Sequence, residues 1–499
     1  MEYLSSRGNT PRVSAAEAIK MGMAPDGGLF VPESIPRLSA ATLEEMATLS
    51  YQNRAALLFK LFLTDFSREE IESCVNGAYN SKTFDHPGIA PLHKLQEGIF
   101  VLELWHGPTS AFKDMALQAL PYLLTISTRK TSETGETVIL VATSGDTGKA
   151  ALEGFKDVPG TRIIVFFPQD GVSEVQKRQM VTQEGKNVCV AAVQGNFDDA
   201  QNGVKRIFAS REIIRLLGEH DYKMSSANSI NWGRLLPQVV YYVSSYVDLC
   251  SAGQIAPGQA VNIVVPTGNF GNILAAFYAT KMGVPVNRLI CAANANNVLT
   301  DFINSGVYDR NRKFEKTLSP SMDILISSNL ERLLFELTDH DDARVSYWME
   351  ELRNTGRYEI EKSTHQAIQK IFWSDFSTDE ATLARIRTTW QEYGYLVDTH
   401  TAVALDVYAR YRRSTGDQTP VIIASTASPF KFGSAVATAV MAPETIVGRN
   451  EFDILRILSQ ETGQTIPAGI ATLEEKPIRH QTVTAAQQME ATVLSFLGI

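Results

Sequence analysis

Repeatedly along this chain, an unbroken apolar run gives way to a loop. Val138–Thr143 precedes Ser144-Gly145-Asp146-Thr147-Gly148, and Arg162–Phe167 stops at Pro168. Val261–Val265 precedes Pro266-Thr267-Gly268-Asn269-Phe270-Gly271-Asn272, and Val421–Ala424 precedes Ser425-Thr426-Ala427-Ser428-Pro429. A strand without polar alternation is covered on both faces, the condition of parallel sheets flanked by helices. Helical stretches at Lys149–Phe155 and from the Gly268 loop to about Met282 supply such cover. The fold class expected is therefore α/β, with ligands gathering where the loops leave the carboxyl ends of the strands.

A chain of 499 residues has room for about three units. The first ninety or so form a small, mostly helical one. Ser14–Met23 and Ala41–Leu63 carry helical spacing, separated by Ala24-Pro25-Asp26-Gly27-Gly28 and by Pro32 and Pro36, and Asp85-His86-Pro87-Gly88 marks its end. The charge balance of 46 Lys+Arg against 55 Asp+Glu, net -9, argues against a nucleic-acid or anionic-membrane surface. No apolar run approaches a bilayer span, the longest strand-like one being Ile163–Phe167. The four cysteines lack C-x-x-C spacing and the eight histidines lack H-x-x-x-H spacing, so neither a disulfide framework nor a zinc site is expected. Met1-Glu2-Tyr3-Leu4 lacks a secretory signature, and a cytoplasmic location is the expectation.

Two loops are suited to anions. In Gly268-Asn269-Phe270-Gly271-Asn272, glycines let successive N–H groups converge where the following helix dipole adds positive charge. A plain strand-to-helix turn with a glycine cap has the same appearance. Ser144–Lys149 fails as a nucleotide-binding P-loop: position 143 is Thr where glycine is required, and Ala150 stands where the motif needs Ser or Thr. Its hydroxyls and amides suit a carboxylate or phosphate. In Trp105-His106-Gly107-Pro108-Thr109-Ser110-Ala111-Phe112-Lys113-Asp114, Thr109 or Ser110 as N-cap would put Lys113 in the first turn of a helix that Pro121 shortens. The dipole disfavours a cation there. Either Lys113 is solvated, or it serves as an amine of lowered pKa.

These segments together resemble the threonine synthase family of pyridoxal-phosphate enzymes, fold type II, over nearly the whole chain. Tyr3–Gly8 and Ala24–Leu29 are similar to the family's opening, and His106–Asp114 to its Schiff-base lysine motif. Asn228–Arg234, Ser319–Ile324 and Asp398–Ala402 match further blocks. Asn297 departs from the pattern, where relatives commonly carry an acidic residue.

The resemblance implies two parallel-sheet α/β domains plus the helical N-terminal one. Residues 1–92 would be N-terminal, 93–134 and 248–499 the large cofactor domain, and 135–247 the small domain. Lys113 would hold pyridoxal 5'-phosphate as an internal aldimine and shuttle protons. Gly268, Asn269, Phe270, Gly271 and Asn272 would bind the cofactor phosphate, and Thr426 the pyridine nitrogen. Ser144, Gly145, Asp146 and Thr147 would face the substrate carboxylate or the ring edge, and Arg234 the substrate phosphate, or else a structural salt bridge. His106, His400 and Asp114 read as structural supports. The implied reaction converts O-phospho-L-homoserine and water to L-threonine and phosphate, with the Ser144–Thr147 unit closing over the substrate, in a monomer or homodimer. Alternatives are a threonine or serine dehydratase of the same fold, a non-catalytic binder of phosphorylated ligands, and an ATP-binding protein.

Overall fold

In the computed structural model, which describes residues 1–132, 134–169 and 172–499, most strands fall into two large sheets, with two short antiparallel pairs beside them. The larger orders Phe372–Phe376, Val286–Ala293, Val261–Pro266, Val421–Ser425, Ile99–Glu103 and Leu92–Gln96. All its pairings are parallel except that of the edge strand Leu92–Gln96 with Ile99–Glu103. The smaller sheet, all parallel, orders Thr482–Ala485, Val188–Gln194, Thr161–Pro168, Glu136–Ala142 and Tyr222–Ser225.

Burial follows the unbroken apolar pattern. Every residue of Val261–Pro266 and Val421–Ser425 is buried. The helix Gly271–Met282 is apolar all round because it lies between the larger sheet and the buried helix Trp232–Ser251. Among the described residues no helix is long and apolar enough to cross a membrane.

The N-terminal unit is helical as expected, with the short antiparallel pair Tyr3–Ser5 and Phe30–Pro32 added. Ala41–Leu63 divides into Ala40–Glu45 and Tyr51–Phe62 because Ser50 accepts from the Asn53 N–H and starts a new helix. Three elements depart from the expected boundaries. Trp232–Ser251, expected mostly with the small unit, packs on Gly271–Met282 and Tyr51–Phe62, where its apolar surface finds cover. Residues 482–485, expected with the large unit, extend the smaller sheet beside Val188–Gln194, and Met489–Leu497 packs on the helix Phe197–Ala209.

Candidate active site

Three adjacent strands of the larger sheet deliver their carboxyl ends to one place. Val261–Pro266 leads to Gly268–Asn272, Val421–Ser425 to Thr426, and Ile99–Glu103 to the segment carrying Lys113. The last two are laced together. Phe112 N–H donates to the Thr426 carbonyl at 2.8 Å, Ser428 N–H to Ser110 O at 3.0 Å, and Ala111 bridges Ala427. Ser110 takes a left-handed conformation with φ 59°, a strain of about 1–2 kcal/mol that this lacing holds in place.

The helix after Lys113 begins at Asp114, not at Thr109 or Ser110. The cap works in reverse: the buried Asp114 carboxylate accepts from Thr109 N–H at 2.8 Å and Thr109 Oγ1 at 2.7 Å. Burial raises its pKa to about 6 in spite of those bonds. Pro121 sits in the first turn of the next helix, Leu120–Lys130, where its missing N–H does no harm.

Lys113 is buried, so the solvated alternative is set aside. Its Nζ lies 3.6 Å from Asp146 Oδ2. Burial lowers the amine pKa to about 8; Asp146 pulls it up, and the charges of Arg234 and Lys431 push it down. Asp146, on the smaller sheet's side, meets Lys431 Nζ at 3.1 Å and accepts from Gln176 Nε2 and Ser321 Oγ, each at 2.9 Å. Burial opposes its ionisation, but Lys431 and Lys113 hold it well below the usual carboxylate range. Gly145, beside it, has φ 137°, and a Cβ there would sit 2.5 Å from the Gln176 side chain. Ser144 and Thr147 are half-buried at the start of Asp146–Phe155.

Gly268–Asn272 has its carbonyls tied outward: Gly268 O accepts from Ser327 Oγ at 2.7 Å, and Asn269 O from the Asn329 backbone and side chain at 3.1 Å. The N–H groups of Gly268, Asn269 and Phe270 have no protein partner among the described residues. Phe270, at φ 65°, turns the chain into the helix Gly271–Met282. Asn272 Oδ1 takes hydrogen bonds from both Tyr241 and Tyr242 hydroxyls at 2.6 Å, leaving its buried Nδ2 without a partner among the described residues.

Arg234 is buried in the first turn of Trp232–Ser251. It has no carboxylate partner among the described residues, so the salt-bridge alternative fails. Its Nη1 donates to Ala227 O at 2.8 Å, its Nε has no partner among the described residues, and burial lowers its pKa to about 10. A buried guanidinium at a helix N-terminus, with no carboxylate partner among the described residues, has the chemistry to hold an anion.

Lys431, Tyr241 and Tyr242 join this site although the sequence analysis did not single them out, and Ser321, from the matching block Ser319–Ile324, joins it with them. The one signal that could have pointed to Lys431 is its place two residues after Pro429, in a loop at a strand's carboxyl end. The Asp398–His400 pair backs it. His400 Nδ1 lies 2.8 Å from Asp398 Oδ2, and Nε2 accepts from the Ser321 N–H at 3.2 Å. The departure at Asn297 is absorbed locally: Asn297 Oδ1 accepts from Arg312, which pairs with Asp301 at 2.7 Å.

His106 is a support outside the cluster. Its ring nitrogens lie 2.6 Å from Asp85 and 2.8 Å from Glu103, so both N–H groups donate in the imidazolium form. Burial lowers its pKa, but the two carboxylates outweigh this and the net shift is upward. The stabilisation is therefore full below the unfolded value of about 6.5 and is lost as pH rises through the folded value. The melting-temperature gap between wild type and His106→Gln is expected to be largest at about pH 5.5 and to narrow in alkaline buffer. A gap independent of pH would show that the charge is not involved.

Comparisons with known proteins bear on the chain as a whole. Residues 2–79 match the family model for the threonine synthase N terminus, residues 78–371 that for pyridoxal-phosphate dependent enzymes, and residues 401–493 that for the threonine synthase C-terminal part. A threonine synthase of Pseudomonas aeruginosa is 39% identical over 443 residues, covering 88% of this chain and 90% of the relative. Threonine synthase-like 1 of Homo sapiens is 42% identical over 439 residues; the match takes in 86% of this chain but spans only 58% of that longer relative. The crystal structure of PLP-bound threonine synthase from Brucella melitensis superposes with a TM-score of 0.87 at 36% identity, covering 99% of both chains.

Proposed function

Because the chain belongs to the threonine synthase family, we propose that it converts O-phospho-L-homoserine and water to L-threonine and phosphate, with pyridoxal phosphate as cofactor. The observation that carries the reading is Arg234. One anion receptor, the Gly268 loop, suffices for the cofactor phosphate. A second, buried and unpaired, with its charge felt at Lys113, calls for a substrate that brings its own phosphate.

The residues fit the cofactor. Lys113 offers a buried amine, the loop N–H groups and Asn272 Nδ2 offer unpartnered donors, and Thr426 offers a hydroxyl for the ring nitrogen. Bound there, pyridoxal phosphate supplies a conjugated electron sink for carbanions at the substrate carbons. A neutral Thr426 hydroxyl there would leave the ring nitrogen less protonated than a carboxylate would. The remaining work belongs to the chain. Lys113, with a pKa of about 8, takes the Cα proton and hands protons between neighbouring carbons. Arg234 holds the phosphate while it leaves Cγ. Water adds at Cβ.

Ser144–Thr147, at a helix N-terminus, offers amides and hydroxyls to the substrate carboxylate. Asp146 itself, a carboxylate held between two lysines, serves that loop as its tether. We expect this unit to close further over substrate, keeping water out until it is needed. Equal separation of the two sheets in free and inhibitor-bound crystals would rule that out. All these residues come from one chain, so the reading suits a monomer or homodimer alike.

Release of inorganic phosphate from O-phospho-L-homoserine, with threonine formed in equal amount, tests the reaction. A preference for threonine or serine as substrate would point instead to the dehydratase alternative. Gly268→Ala is expected to weaken cofactor retention roughly tenfold, because its Cβ would stand 2.8 Å from Ser321 O. Equilibrium dialysis reads this out, and unchanged retention would remove the loop from the cofactor site.

A further inference from the structure

We propose that Lys431 is a positioning residue for this reaction: it neutralises Asp146 so that the Lys113 nitrogen is free to lose and regain its proton. The proposal rests on the active-site reading given above. Lys431 is fully buried in the turn Pro429–Phe432, just beyond Thr426. Its Nζ reaches Asp146 Oδ1 at 3.1 Å and donates to the Thr109 carbonyl at 2.6 Å, four residues before Lys113. It thus ties the lysine segment to the small-sheet loop with one ammonium group.

The charge count shows why a second lysine is needed. A buried carboxylate whose only counter-ion was Lys113 would be stranded whenever that amine became neutral, so Asp146 would hold Lys113 as a fixed cation. With Lys431 as the standing partner, Asp146 stays paired in every protonation state of Lys113. The other Asp146 contacts, Gln176 and Ser321, are neutral. The other charged or titratable groups facing the cluster among the described residues are Arg234, the His400–Asp398 pair at 2.8 Å, and Asp114 with Glu153 beyond it. Arg234 is a cation without a carboxylate, and His400 accepts from Ser321. Asp114 lies on the Lys431 side, where Lys431 favours its ionised form. The lowered pKa of Lys113 has the sign this arrangement requires: burial is the largest cause, and the Lys431 charge adds to it.

A lysine that only packed or tethered would matter for stability and not for the proton at Lys113. The test therefore follows the visible absorbance of the holoenzyme against pH, together with the pH profile of kcat/KM. Borohydride labelling first establishes that Lys113 carries the cofactor. Lys431→Met is expected to move the transition to higher pH by about one unit or more, and Lys431→Arg to return it to within a few tenths of wild type. Lys431→Met titrating with wild type would overturn the proposal. Should that variant fail to fold, Asp146→Asn is expected to titrate at lower pH, and Asp146→Asn/Lys431→Met to return upward. Coincident curves for that single and double variant would overturn the proposal equally. A label absent from Lys113 defeats the functional reading and the proposal with it, whereas a label present with unmoved titrations defeats the proposal alone.

Discussion

Lys113→Ala is expected to reduce turnover of O-phospho-L-homoserine by at least about 10³-fold and to remove the visible band of the holoenzyme. Both effects follow from one amine serving as covalent anchor and as proton carrier. The fold is expected to survive. Asp146 keeps Lys431 as its partner at 3.1 Å, so no carboxylate is left uncompensated. The segment around position 113 remains laced to Thr426 and Ser428 through its backbone. A melting temperature close to that of wild type, beside lost colour and lost turnover, is the outcome to look for. Retained turnover would mean that another group carries the protons, and the mechanism would be wrong.

The second large effect is at Arg234. Arg234→Met keeps the bulk of the buried stem and removes the guanidinium. It is expected to lower kcat/KM for O-phospho-L-homoserine by about 10²-fold, the size of a lost charge-assisted pair in a buried site. Any slow turnover of threonine, which carries no phosphate, is expected to change little. Because the native guanidinium has no carboxylate partner among the described residues, its removal also relieves an unpaired buried charge, and stability is expected to hold or rise. Equal losses on both substrates would show that Arg234 supports the pocket and not the phosphate.

The parts of this molecule most legible in its sequence are those governed by local pattern. Val261–Pro266 and Val421–Ser425 read as covered strands because they carry almost no polar residue, and both are buried throughout. Thr426, Lys113 and the Gly268 loop follow from strand ends and recognisable motifs. The lacing of Phe112 to Thr426 brings the first two of these together. What the pattern could not reveal depends on groups far apart in the chain. Thr482–Ala485 has too few residues to declare a partner, and it pairs with Val188–Gln194 nearly three hundred residues upstream. Lys431 reads as one more lysine until Asp146 is found 3.1 Å away. Tyr241 and Tyr242 carry no local signal that ties them to the Gly268 loop; only the fold brings both hydroxyls to Asn272. At Asp114 the local rule ran backwards. The expected cap was a hydroxyl ahead of the helix, whereas the carboxylate at its first residue reaches back to Thr109.

The central claim is a covalent one, and a single measurement addresses it. Holoenzyme reduced with borohydride, digested and mapped by mass spectrometry is expected to carry the pyridoxyl-phosphate mass on the peptide containing Lys113. A label on any other lysine, or on none, would contradict the account.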